Sequence, residues 1–329
     1  MTNREYAASV ERADERIRNG ILRTPLEFAP GLSRAAEARV FIKWECDQQT
    51  GSFKLRGALN ALRSLTAAER GRGVLSASTG NHGLAMLHAA GLEKIRLTLF
   101  VPLTIAAVKR DKLRAAGADL VIAGATCEQS EIMARAEAAR SGRVYVSPYN
   151  DARVVAGQGT VGLEIGAALP DLGDVLVPVG GGGLAAGIGA ALAARLPMVR
   201  VWGVEPAHSA FMAASLTAGR LVEIAEKPTL ADAVAGGIEP GSITFDLCRR
   251  CLSGIITVSE RTLRAARLCM ERLHGRPVEG AGALALAGLR TRLDVFRGRT
   301  VVLVVSGRNA PPAAAGLPRR SVSNKMKQD

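Results

Sequence analysis

The chain has 329 residues, 48% of them apolar and only 4% aromatic, which is material for one large or two ordinary domains around an aliphatic core. Its 43 basic and 30 acidic residues leave a net charge of +13. The arginines are scattered, apart from short groups such as Arg249-Arg250 and Arg319-Arg320, and no stacking aromatics run between them, so the charge is not a nucleic-acid footprint.

Residues 3–19 read as an amphipathic helix that Gly20 stops. The stretch is charged throughout and is no signal peptide. Thr24-Pro25-Leu26 breaks into extended chain, and residues 40–44 read as a strand. A helical pattern then opens at Lys54, where Leu55, Leu59 and Leu62 share one face. Strands are expected at 74–77, 97–101, 120–122 and 144–146, with helices at 83–90, 106–116 and 127–140 between them. The second half repeats the logic, with strands at 175–179, 199–204, 255–258 and 301–305 and helices at 184–196, 260–274 and 281–292. Short apolar strands alternating with helices mean parallel βαβ units whose strands are buried on both faces. Residues 311–329, rich in Pro, Ala, Ser and basic side chains, read as a loose tail.

No apolar run approaches the ~18 residues of a membrane span. Five cysteines without a repeated spacing argue for a reducing compartment. A cytoplasmic protein with no membrane partner is expected. Cys248-Arg249-Arg250-Cys251 lacks the second ligand pair of a zinc site and the setting of a thioredoxin-like pair, and reads as two thiols on a helix.

Three stretches carry chemistry. Thr50-Gly51-Ser52-Phe53-Lys54-Leu55-Arg56-Gly57-Ala58 places a lysine where a polar loop becomes a helix. Ser78-Thr79-Gly80-Asn81-His82-Gly83 and Gly180-Gly181-Gly182-Gly183-Leu184 each follow a strand and open a helix, where backbone N–H groups and the positive helix end favour an anion. Taken alone, the four-glycine loop also fits the relaxed dinucleotide pattern Gly181-x-Gly183-x-x-Ala186, with Glu205 ending the next strand. That fingerprint belongs in the first βα turn of its unit, and it would leave the Lys54 loop without a role.

Together with Ala156-Gly157-Gln158-Gly159-Thr160, Glu279-Gly280-Ala281-Gly282 and Ser306-Gly307-Arg308-Asn309, these motifs resemble the fold-type II pyridoxal 5'-phosphate enzymes of the threonine/serine dehydratase and serine racemase group. Ser78 to Gly83, Pro228-Thr229-Leu230-Ala231-Asp232 and Ser306 to Asn309 are closest to the branch assigned to hydroxyectoine utilisation. The resemblance implies a two-domain α/β fold like the tryptophan synthase β-subunit, with parallel-rich twisted sheets flanked by helices. A small domain over 66–152 is inserted into a large cofactor domain built from 1–65 and 153–310, and the protein is a homodimer.

It also implies site roles. Lys54 supplies the amine for the cofactor aldehyde and Gly180, Gly181, Gly182, Gly183 and Leu184 the phosphate cradle. Ser306 faces the ring nitrogen, Asn81 the ring hydroxyl, Phe53 the ring face, and Glu279 lies near the cofactor. Ser78, Thr79, Gly80, Asn81 and His82 surround the substrate carboxylate, with Arg135 as a further contact. His82 reads as structural, because the lysine already supplies a base. Thr79 stands where racemases carry a second acid/base, so it is a candidate catalytic residue beside Lys54. A metal site of some relatives uses the acid at Glu205 and another six residues on, where this chain has Phe211; no metal is expected. The expected reaction is β-elimination of water from a small β-hydroxy amino acid, with racemisation or β-replacement as the alternative and a non-catalytic cofactor-binding protein as the rival class.

Overall fold

The computed structural model describes residues 3–309, so the tail expected at 311–329 lies outside the described residues. Ten strands form two sheets: β1 (Leu26–Phe28), β2 (Arg39–Lys43), β3 (Val74–Ala77), β4 (Leu97–Val101), β5 (Asp119–Ile122), β6 (Val144–Tyr145), β7 (Asp174–Pro178), β8 (Arg200–Pro206), β9 (Gly254–Val258) and β10 (Thr300–Val304). One sheet runs β1-β2-β10-β7-β8-β9 and the other β5-β4-β3-β6. All pairings are parallel except β1 with β2, an antiparallel edge formed where Thr24-Pro25-Leu26 was expected only as extended chain. The four-stranded sheet comes wholly from 74–145; the six-stranded sheet takes strands from both sides of that stretch. This is the parallel α/β architecture read from the sequence. No helix among the described residues is long and apolar enough to cross a membrane.

Most expected helices fall where the periodicity puts them; the short helices Pro30–Ala36, Ala67–Arg72, Phe211–Ala218 and Leu293–Phe296 were not read, and three further differences are instructive. The expected 281–292 helix begins as a 3-10 turn at Ala281–Ala283 and becomes α-helical at Leu284–Thr291. The expected 83–90 helix is longer, Asn81–Glu93. A long helix, Ala152–Ala168, was not read at all. Its residues from Val154 to Ile165 are all buried, so it has no polar face and shows no amphipathic period.

That hidden helix sets the position of Lys54. The helix Lys54–Arg63 buries Leu55, Leu59 and Leu62 among Met86, Leu97 and Leu99 of the four-stranded half. Its other side lies against Ala152–Ala168 at near backbone contact: a Cβ on Gly157 would sit 2.5 Å from the Arg56 carbonyl oxygen. The motif around Gly157 is therefore a helix–helix contact surface. Gly157→Ala is expected to destabilise the protein by about 1–3 kcal/mol, because backbone cannot retreat as a side chain can. A urea-unfolding midpoint equal to wild type would show that the helices separate freely.

Beneath the same helix lies a balanced group of buried charges. Arg56 donates from Nε and Nη2 to Glu45, at 2.8 Å each, and from Nη1 to Glu164 at 2.6 Å. Lys43 donates to Glu164 and, at 2.6 Å, to the Thr24 carbonyl oxygen. Burial pushes the Glu45 carboxyl up, and the Arg56 guanidinium, helped by Lys43 and Thr24, more than cancels this and leaves it below the usual carboxylate range.

Candidate active site

A cavity of about 820 Å³ opens between the two sheets and is lined by Lys54, the 78–82 turn, the four glycines and Ser306. Three segments that lie far apart in sequence meet there because strand ends meet. Ser52 bridges to Gly307, and the Phe53 N–H donates to the Ser306 carbonyl oxygen at 3.1 Å. Lys54, opening its helix, is thus tied to the chain just past β10. Its Nζ donates to the Pro148 carbonyl oxygen at 2.8 Å and lies 5.2 Å from the Phe53 ring centroid. Burial lowers its pKa to about 8, against the opposing pull of Glu131 and Glu279. A substantial neutral fraction is then available near pH 8, as a nucleophilic amine requires.

The turn after β7 is built for an anion. The Gly181 carbonyl oxygen accepts from Thr244 Oγ1 at 2.5 Å, and that of Gly182 accepts from Cys248 Sγ at 3.7 Å and the Ala186 N–H at 2.9 Å. Its acceptors are therefore spent on the protein, whereas the N–H groups of Gly180, Gly181 and Gly182 find no acceptor among the described residues. The glycines are needed for a reason the sequence did not disclose. A Cβ on Gly181 would lie 2.3 Å from the Tyr149 ring, and Gly182 sits at φ +86 with Met212 Cε 2.8 Å from its Cβ position. Side chains here would collide with the wall behind the loop, so substitution of Gly182 costs stability as well as anion binding. Leu184 follows in the buried first turn of the next helix and lines the cavity.

At the opposite wall, Asn81 Nδ2 donates to Glu279 Oε1 at 2.7 Å, and Asn81 Oδ1 accepts from Asn309 Nδ2 at 2.8 Å. An amide held at both ends keeps one N–H to offer the cavity. Burial pushes the Glu279 carboxyl up to about 7, Asn81 opposing. Ser306 is buried, lines the cavity, and its hydroxyl has no partner among the described residues. Ser78 accepts from the Gly80 N–H at 3.2 Å, and Thr79 lies beside Cys127. His82 also lines the cavity, but its Nε2 lies 3.1 Å from Ser76 Oγ and 3.4 Å from the Val146 carbonyl oxygen. Burial pushes its pKa down to about 3, so the ring is neutral and braces β3.

One expected residue, Arg135, and the acid of the rejected dinucleotide pattern, Glu205, sit elsewhere. Arg135 does not line the cavity; its guanidinium pairs with Glu239 and stacks 4.4 Å from the Tyr145 ring centroid. A substrate carboxylate cannot have that arginine without displacing Glu239. Glu205 is committed to the start of the helix Phe211–Ala218, accepting from the N–H groups of Met212 and Ala213 at 2.9 and 2.8 Å. It is a helix-capping acid, so no ribose ligand stands behind the glycine turn.

Sequence reasoning missed Glu131, Tyr149 and Glu239, all on the cavity wall. Tyr149 seats the glycine turn and its Oη accepts from the Glu239 N–H at 3.0 Å. One of only three tyrosines in the chain, directly after Pro148, was the available signal. Glu131 gave none, since an acid in a helix reads as solvated.

An amine of lowered pKa, unsatisfied N–H groups in a glycine turn and an unpartnered hydroxyl around one cavity define an enzyme site for an aldehyde-bearing phosphate cofactor. A family model for pyridoxal-phosphate dependent enzymes matches residues 17–307. The chain is 38% identical over 300 residues to the L-threonine ammonia-lyase of Thermotoga maritima, covering 91% of this chain and 74% of that protein. The processed form of threonine deaminase isoform 2 from Solanum lycopersicum superposes with a TM-score of 0.88 at 32% identity, covering 93% of this chain and 89% of the other. Maize serine racemase gives a TM-score of 0.87 at 27% identity, covering 93% and 94%. The chain belongs to the pyridoxal-phosphate dependent enzyme family. The residues present fit that cofactor, by the three features just described.

Proposed function

We propose that the protein is a dehydratase, an ammonia-lyase that removes water from a small β-hydroxy amino acid of the threonine or serine type, or a hydroxyectoine-derived one. The observation that carries this is the lysine amine opening on the same cavity as the glycine turn. The threonine ammonia-lyase and threonine deaminase relatives support the same reading. Two domains, 66–152 and the flanking 1–65 with 153–310, supply the walls of the cleft.

The cofactor, bonded through its aldehyde, supplies the electron sink that lets the Cα–H bond break. Lys54 Nζ provides the amine for that attachment and afterwards accepts the Cα proton. The N–H groups of Gly180, Gly181 and Gly182 would hold the phosphate, Ser306 would meet the ring nitrogen, Asn81 the ring hydroxyl, and Phe53 would pack beside the ring. Ser306 is a neutral partner and does not enforce a protonated ring, which favours prompt loss of a β-leaving group over transamination. With no arginine among the lining residues, the substrate carboxylate falls to the backbone and hydroxyls of 78–81 at the start of the helix Asn81–Glu93. Loss of the Cα proton and the β-hydroxyl as water leaves an enamine, which takes up water to give a 2-oxo acid and ammonia. Keto-acid release from a panel of β-hydroxy amino acids tests the reading; no release from any of them removes it.

Thr79 decides between elimination and racemisation. A racemase needs an acid/base on each face of Cα, an eliminating enzyme only one. Thr79→Ala is expected to keep dehydration within about tenfold of wild type, because an acid/base residue would be worth about 10²–10⁴. A larger loss with cofactor still bound makes Thr79 catalytic in dehydration. Exchange of the Cα proton in deuterated water, with a substrate that has no leaving group, reads the second face separately.

A further inference from the structure

In a chain of net charge +13, the active cavity is lined by seven carboxylates and three lysines, with no arginine. Several of those acids are spoken for. Asp232 pairs with Lys109 at 3.0 Å, Glu239 with Arg135, and Glu279 with Asn81. Glu226 accepts from Ser209 and from the Gly236 N–H. Glu131, on the helix Cys127–Ser141, is half-buried and has no hydrogen-bond partner among the described residues. Two cations act on it, Arg135 and Lys54. Arg135 is engaged by Glu239, and Lys54 donates to the Pro148 carbonyl oxygen. Glu128 and Glu223 have no partner either but are exposed, so Glu131 is the one half-buried carboxylate of the cavity left without a hydrogen-bond or ion-pair partner among the described residues.

We propose that Glu131 selects a substrate whose side chain ends in a cationic nitrogen, an ammonium or amidinium, and that this group pairs with the Glu131 carboxylate beyond the reacting carbons. The proposal rests on the dehydratase reading of the same cavity and names its substrate class. Burial and Glu239 push the Glu131 carboxyl up to about 7, the behaviour of an acid that lacks its counter-ion. A cation restores the charged form, and an uncharged side chain of the same length leaves a desolvated carboxylate unpaired, which is the repulsive half of specificity. The same cavity is also lined by 221–224 and 234–239, and its volume of about 820 Å³ leaves room for a chain longer than that of serine.

Binding can be separated from turnover. The holoenzyme is titrated calorimetrically at pH 8, where Glu131 is mostly ionised, with 2,4-diaminobutyrate and with norvaline. The two have the same length, differ in the terminal charge, and carry no β-leaving group. The wild type is expected to bind the diamino acid about tenfold tighter, E131Q to bring the two within about twofold, and E131D to keep a preference. Equal or tighter binding of norvaline by wild type, or a preference that survives in E131Q, overturns the assignment. Keto-acid release from β-hydroxy amino acids is read on the same preparation. Release without the binding preference overturns the role of Glu131 alone. The preference without release supports Glu131 as the selecting acid and removes the dehydratase reading.

Discussion

Lys54→Ala is expected to reduce keto-acid formation by about 10⁴-fold or more while the protein stays folded. The proposed function puts two roles on one nitrogen: attachment of the cofactor and acceptance of the Cα proton. Their loss cannot be partitioned, because the second depends on the geometry set by the first. Little structure is lost with them. The amine makes one hydrogen bond, to the Pro148 carbonyl oxygen, and that oxygen lies at a cavity which can hydrate it. The helix itself rests on Leu55, Leu59 and Leu62, which the substitution does not touch. Circular dichroism and the unfolding midpoint should match wild type. Turnover within a hundredfold of wild type would take Lys54 out of the mechanism.

Arg56→Met, two residues along, should do the reverse and lower stability by about 3–5 kcal/mol, the usual cost of stripping one partner from a buried ionic group. The guanidinium forms the paired contacts to Glu45 and the link to Glu164, and Lys43 alone cannot balance two carboxylates. The effect has a pH signature. In wild type Glu45 is held below the usual range, so its contribution is present above about pH 5 and is lost as pH falls through the depressed value. In the variant the lift from burial is opposed only by Lys43 and Thr24. The folded protein then binds a proton more readily than the unfolded chain, and the deficit should be smaller at pH 5 than at pH 7. Urea unfolding at both values measures it. A pH-independent deficit would mean that lost packing, not unbalanced charge, is the cause.

What could be read in advance followed from periodicity and from motifs that mark strand ends. Apolar runs such as 97–101 and 301–305 have one way to be buried, and their alternation with helices leaves a parallel sheet as the simplest arrangement. Lys54, the glycine turn and Ser306 were visible because each closes a strand or opens a helix. The helix Ala152–Ala168 was not, since a segment buried on every side has lost the polar stripe that would betray it. Arg135 lies off the cavity lining, because helix position says which residues share a face, not which acid from a distant loop will meet them; here that acid is Glu239. Glu131 went unread for the complementary reason. Only the fold shows that one side of its helix looks into a cleft.

The helix Lys54–Arg63 belongs to two bodies at once, its leucines packed into the four-stranded half and its Gly57 side resting on Ala152–Ala168. Ser52 and Phe53 tie its first residue to Ser306–Gly307, and Asn81 ties the 78–81 turn to the same wall through Glu279 and Asn309. The spacing of Lys54 and Ser306 is thus set by main-chain contacts at a strand end and not by side-chain packing alone. A substitution that loosens this junction is expected to displace Lys54 and Ser306 together and not one of them alone.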